Sequence, residues 1–121
     1  MKTDTSNAKR TAADDRLSSN TIFELLCEDH RRYALSYLSR RVGAVRLEEL
    51  IDRLAHRDGE PTPERIEQLT VEFHHNHLQK FLDAEVLQYD TEAGTVERRA
   101  AASSLDPYLE LASVNDLSLA E

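Results

Sequence analysis

The sequence predicts a mainly α-helical winged helix-turn-helix with a small β-hairpin, on three observations. First, VEFHHNHLQKFLDAEVLQYDTEAGTVER (Val71 to Arg98) reads as the end of a helix feeding a two-stranded hairpin. A corner falls at Asp83–Glu85, strands at Val86–Tyr89 and Thr95–Arg98, and a turn at Thr91–Gly94. Second, Thr62-Pro63 is a strong helix start, with a hydroxyl to cap the first turn and a proline where its missing N–H costs nothing. Third, the elements come in the order helix, helix, small strand, helix, long helix, hairpin, which is the winged-helix order.

Each element has its own signal. Residues 1–18 are polar and are expected to form a disordered tail. Apolar periodicity begins at Ile22, and Ile22, Phe23, Leu25 and Leu26 fit a short helix capped near Ser19 or Asn20. Tyr33, Ala34, Tyr37 and Leu38 mark a second helix to about Arg41, ended by Gly43. Ala44–Leu47 is a short extended segment. Leu47, Leu50, Ile51 and Leu54 then define an amphipathic helix to about Arg57, and Asp58-Gly59-Glu60-Pro61 is a loop. In the long helix, Pro63–Asp83, successive 100° steps place Ile66, Leu69, Thr70, Phe73, His77, Phe81 and Ala84 on one face, widened by Val71, Leu78 and Leu82. Arg65, Gln68, Glu72, His75, Asn76, Gln79 and Asp83 share the opposite face. After Arg99, AAASS reads as a linker, and Asp106-Pro107 starts a short helix through Val114. The organisation is thus an N-terminal tail (1–18), a winged domain (19–99) and an acidic C-terminal tail with a short helix (100–121).

Charge complicates a nucleic-acid reading. The net charge is −8. Residues 1–18 carry four basic and three acidic groups, residues 19–99 eleven and sixteen, and residues 100–121 none and four, so no part of the chain is strongly basic. Only Lys2, Lys9 and Lys80 are lysines. A carboxylate-rich, lysine-poor surface keeps a protein dispersed in concentrated salt, where the Debye length is about 3 Å at 1 M and self-repulsion is screened. The composition is that of a halophile's protein, although an ordinary acidic protein shares it. No apolar run reaches the length of a membrane span and the first residues lack a signal-peptide core, so a cytoplasmic location with no membrane partner is expected. Cys27 is the only cysteine, which rules out an internal disulfide.

The run LLCEDHRRYALSYL, then VRLEELIDRLA, then HHNHLQKFLDAEVLQYDTEAGTVE resembles an uncharacterised winged-helix domain common in short haloarchaeal proteins. Its marks are an arginine-rich first helix with tyrosine, an HxHL motif in the long helix and a Y-D…V wing, and the resemblance covers about residues 20–98. It implies a winged helix-turn-helix, a halophilic archaeal source and a role in transcription regulation, without a ligand or catalytic residue. This chain departs from the pattern at Gln79, where proline is frequent, and at Glu28-Asp29, where Asn-Pro is frequent. It departs again at Glu85, where glycine is frequent, so a residue tolerant of left-handed geometry is lost at the helix end.

For function, the first expectation is double-stranded DNA read by the Pro63–Asp83 helix in the major groove, with a homodimer placing two readers on two half-sites. Arg65, Gln68, Glu72, His75 and Asn76 would face the bases, Arg65 suiting guanine and Gln68 adenine. Arg31, Arg32, Arg98 and Arg99 would position the backbone phosphates. Against this stand Glu72, which repels phosphate, and the acidic wing tip Asp90–Gly94, where a minor-groove wing offers Arg or Lys. The same polar face is equally an ordinary solvated one, and winged helices bind proteins as well as DNA. The rival expectation is therefore a protein-interaction or dimerisation module. His74 and His77 are the one histidine pair on the long helix near enough in angle to share a metal. With no third ligand apparent, His77 is read as a core histidine, His75 as exposed, and no metal or cofactor is expected. No Gly-rich phosphate loop or nucleophile motif occurs, so no catalytic residue is assigned.

Overall fold

The computed structural model describes residues 17–112. Helix α1 is Ser19–Leu26, α2 Asp29–Ser39, strand β1 Val45–Arg46, α3 Leu47–Asp58 and α4 Pro63–Glu72. A π-helical turn, Phe73–His77, joins α4 to α5, Leu78–Asp83. Strands β2 (Leu87–Asp90) and β3 (Thr95–Arg98) form the hairpin. A 3-10 helix, Ala100–Leu105, then leads into α6 over residues 106–112. The protein is mainly α-helical with a small three-stranded antiparallel sheet, the winged-helix-like arrangement expected. Of the disordered tail expected over residues 1–18, residues 1–16 lie outside the described residues, as does the end of the last helix at residues 113–114, whereas Leu17 packs against the core and Ser18 caps α1, so the ordered domain begins by residue 17.

Local chemistry accounts for the boundaries. The Ser18 hydroxyl accepts from Thr21 N–H at 3.1 Å, one residue before the expected caps, and Thr62 accepts from Arg65 N–H at 3.1 Å with Pro63 at the first helical position. The sheet order is β1-β3-β2. Val45 pairs with Val96 and Arg46 with Thr95, and Leu47 N–H donates to the Gly94 carbonyl at 2.9 Å. These bonds pin the wing to the start of α3 and hold it beside the helix-turn-helix.

The core joins all the helices to the sheet. Leu25, Leu35 and Leu38 meet Leu50, Leu54, Leu69, Phe73 and Phe81, with Val86 from the corner and Leu87 and Val96 from the sheet completing the core. Each such side chain contributes about 1.5–3 kcal/mol on burial.

Four details differ from expectation, each for a physical reason. The long helix is interrupted: the Leu78 N–H reaches back five residues to the Phe73 carbonyl. Leu69, Phe73, His77 and Phe81 recur every four residues, whereas an α-helix turns in about 3.6. The wider turn absorbs this drift and keeps all four buried. The hairpin starts one residue later, at Leu87, because the Val86 N–H closes the end of α5 by donating to the Phe81 carbonyl at 3.1 Å, beside the Glu85 N–H bond to Leu82 at 3.0 Å. AAASS is not a linker, since its small residues let the chain pack closely, burying Ala102 and Leu105. Finally, Glu85 adopts φ +61°, the left-handed conformation that the resemblance assigns to glycine.

Candidate functional site

The helix-turn-helix consists of α3, the loop Gly59–Thr62 and α4, and the exposed face of α4 is the candidate interface. Glu64, Glu67, Gln68, Val71 and Glu72 line a shallow groove along it. Val71, expected to widen the apolar face, is instead 53 % exposed. It sits among three carboxylates. The one arginine of α4, Arg65, is tethered to Asp58 Oδ2 at 3.4 Å. Gln68, Glu72, His75 and Asn76 are exposed as expected, and Glu64 and Glu67 beside Glu72 make the first two turns of the face acidic.

The arginines expected at phosphates are mostly engaged elsewhere. Arg31 is 2 % exposed and faces inward. Its Nη2 donates to the Glu24 carbonyl at 2.9 Å and its Nε to the Leu25 carbonyl at 3.3 Å. Arg32 Nη1 donates to the Leu26 carbonyl at 2.7 Å. The two side chains thus cap the open carbonyls at the C-terminus of α1, a favourable place for positive charge. Assigning Arg31 to the DNA backbone is therefore corrected, because a buried capping guanidinium cannot reach a phosphate. Arg32 remains half-exposed but is held by its cap and by Asp29 at 3.5 Å. Arg98 pairs with Asp106 at 3.1 Å on α6, and Arg99 is exposed. At the wing tip, Asp90 Oδ1 accepts from the Glu92 and Ala93 N–H groups at 3.0 and 3.1 Å, a tight turn that presents carboxylates.

A charged network ties the start of α2 to the end of α3. His30 Nε2 lies 3.0 Å from Asp58 Oδ2, Arg57 Nη2 bonds Asp58 at 2.8 Å, and Arg57 also bonds Asp29. Burial pushes the Asp58 carboxyl up, but the hydrogen bonds from Arg57 and His30 and their charge outweigh it and hold the group below the usual carboxylate range. Beside it, Tyr33 and Tyr37 stack at 6.3 Å, with Arg57 over Tyr33 at 4.9 Å and Arg41 over Tyr37 at 5.0 Å. Tyr37 O–H and Arg41 both donate to Glu49. These contacts bind α2 to α3, and they compensate Arg41 and Arg57 with neighbouring acids.

His77 is buried at 1 % exposure, as read from the sequence. Burial, then the Arg31 charge, lowers its pKa. Arg31 Nη1 lies 3.1 Å from its Nδ1. A guanidinium only donates, so Nδ1 accepts and the proton of the neutral ring sits on Nε2. Nε2 has no hydrogen-bond partner and is 3.8 Å from Glu72 Oε2. His30, Glu72 and His77 bring ligand atoms within 4.8 Å of one another, a trio that sequence spacing could not reveal because His30 comes from α2. His74, the partner weighed from spacing, packs edge-on against Tyr89 at 6.0 Å instead. A metal would need the lone pair of Nε2, which the Arg31 contact replaces with a proton, and the guanidinium repels a cation. The trio does not fit a metal centre.

Among the described residues no helix is long and apolar enough to cross a membrane. No curated protein and no solved structure matches the chain. One family model does, over residues 23–97, spanning α1 to the end of the wing, and the chain belongs to that family, a domain of unknown function, DUF7344.

Proposed function

We propose that this chain is a winged helix-turn-helix module of the haloarchaeal kind that binds a protein partner through the acid-rimmed face of α4. The observation carrying this reading is Val71, half exposed at the centre of Glu64, Glu67, Gln68 and Glu72. An apolar centre with a charged rim is the anatomy of a protein interface, and its charge fits a basic segment carrying one apolar anchor. It is a poor match for DNA, whose phosphates meet three carboxylates before one tethered guanidinium.

Panning a displayed peptide library against the full chain at low and at molar KCl tests this, with enrichment strongest at low salt. Basic peptides with an apolar anchor are expected to enrich, and Val71→Asp to abolish the enrichment. Enrichment of acidic peptides, or binding indifferent to Val71→Asp, overturns it.

A DNA-binding transcription regulator is the second reading. The start of α4 favours it, since Arg65 is partly exposed beside Gln68 where a recognition helix meets bases. Selection on random duplex DNA across about 0.3–3 M KCl separates the two, because screening changes strongly over that range. Enrichment of a sequence that Arg65→Ala relaxes establishes DNA reading. The protein-partner reading expects none.

A further inference from the structure

On the side of the molecule formed by its first and last described helices, an apolar groove runs between α1 and α6. Ser19, Ile22, Phe23, Leu26, Cys27 and Tyr108 line it. Phe23 is 77 % exposed and Tyr108 49 %, while Leu111, one turn on from Tyr108, is 67 % exposed. Taking roughly 200 Å² for each large side chain, these three leave roughly 350–400 Å² of apolar surface open to water. That is close to half of the roughly 800 Å² per partner that a standard interface covers. Scattered exposed apolar residues are ordinary; a contiguous patch of this size matches the largest on a typical monomer, and such patches are often functional.

From this surface we infer that a second copy of the chain occupies the groove, making the protein a homodimer through α1 and α6. Charge permits this occupant and disfavours a basic one. The chain carries −8, so two copies repel one another over most of their surfaces. The six groove residues are uncharged, and Glu24 at its edge is neutralised by Lys80 at 2.8 Å. Two such polyanions meet at least cost here, whereas a basic partner is drawn to α4. Shape agrees: the protruding Phe23 stands beside the cleft, so a two-fold axis lets the Phe23 of each copy enter the cleft of the other. The surface is separate from the α4 face and does not rest on the partner proposed for it.

Sedimentation of the full chain over a concentration series, at low and at molar KCl, tests the inference. The dimer is expected to tighten with salt, because screening removes the repulsion between like-charged copies while apolar contact persists. Charge-driven binding at α4 weakens over the same range, so the two surfaces are distinguishable. Phe23→Asp is expected to weaken the dimer at least about tenfold, as for an aromatic anchor. Tyr108→Glu acts in the same direction, and Val71→Asp leaves the dimer unchanged. Cys27, the single exposed cysteine, supplies a footprint: its alkylation by a maleimide slows as protein concentration rises. A monomer at all concentrations and salts overturns the inference. So does a dimer that Phe23→Asp and Tyr108→Glu leave intact, or one in which Cys27 alkylates at a rate independent of concentration.

Discussion

Arg31 Nη1 donates to His77 Nδ1 across 3.1 Å, joining the start of α2 to the π turn inside the core. The same guanidinium caps α1 through the Glu24 and Leu25 carbonyls. One buried side chain therefore connects three helices, and the three donor nitrogens of the planar guanidinium are what permit it.

Arg31→Ala leaves the α1 carbonyls and His77 Nδ1 unpaired in the interior. It should destabilise the protein by about 3 kcal/mol. Arg31→Lys should recover little, since one ammonium cannot span the acceptors. Arg99→Ala, on an exposed side chain, should stay within about 0.5 kcal/mol. Urea unfolding in molar KCl measures all three, and a fully stable Arg31→Ala protein would show that the guanidinium is not a structural cap.

Acid should weaken the fold through His77. Burial and Arg31 hold its folded pKa below the ordinary 6.5, so below that pH the unfolded chain takes up the proton first. The contribution of the neutral ring is complete above about pH 6.5 and is lost as the pH falls through the folded value. Asp58 and Glu49, also lowered, lose theirs only below their ordinary values of 3.8 and 4.5. Stability measured from pH 7 to 5 should therefore fall in the wild type and much less in His77→Gln. Equal slopes would place the titrating group elsewhere.

Zinc should leave the melting temperature unchanged. A metal bound only by the folded state raises stability by mass action, and His30, Glu72 and His77 do not fit one while Arg31 holds Nδ1. A zinc-dependent rise that Glu72→Gln removes would mean that Arg31 releases His77 and the trio ligates, since His30 also faces Asp29 and Asp58 in a second cluster.

Glu85→Gly should stabilise the protein. Glu85 sits at φ +61°, where a side chain costs about 1–2 kcal/mol and glycine far less. After the entropy that glycine gains in the unfolded chain, a net gain of about 0.5–1 kcal/mol is expected in urea unfolding. A loss would mean that the Glu85 side chain makes contacts outweighing the strain.

By itself the sequence determined the order of elements, the Thr62-Pro63 start, the stripe through Leu69, Phe73, His77 and Phe81, and the hairpin to within a residue. These are written in short-range patterns: a cap acts within three residues and periodicity repeats each turn. The left-handed corner at Glu85 was not legible, because a glutamate there argued against a geometry that the surrounding fold nonetheless imposes at φ +61°. Only the tertiary structure decided what the charged residues do. Arg31 and His77 are 46 residues apart, and the packing of α2 against the π turn buries that arginine, while Arg99 stays exposed beyond the wing and Arg65 is tied across the α3–α4 loop to Asp58. Local spacing places a residue on a face, but whether that face meets water, a carboxylate or a helix end depends on elements distant in the chain. For the same reason the groove between α1 and α6 exists only once both ends of the domain have folded together.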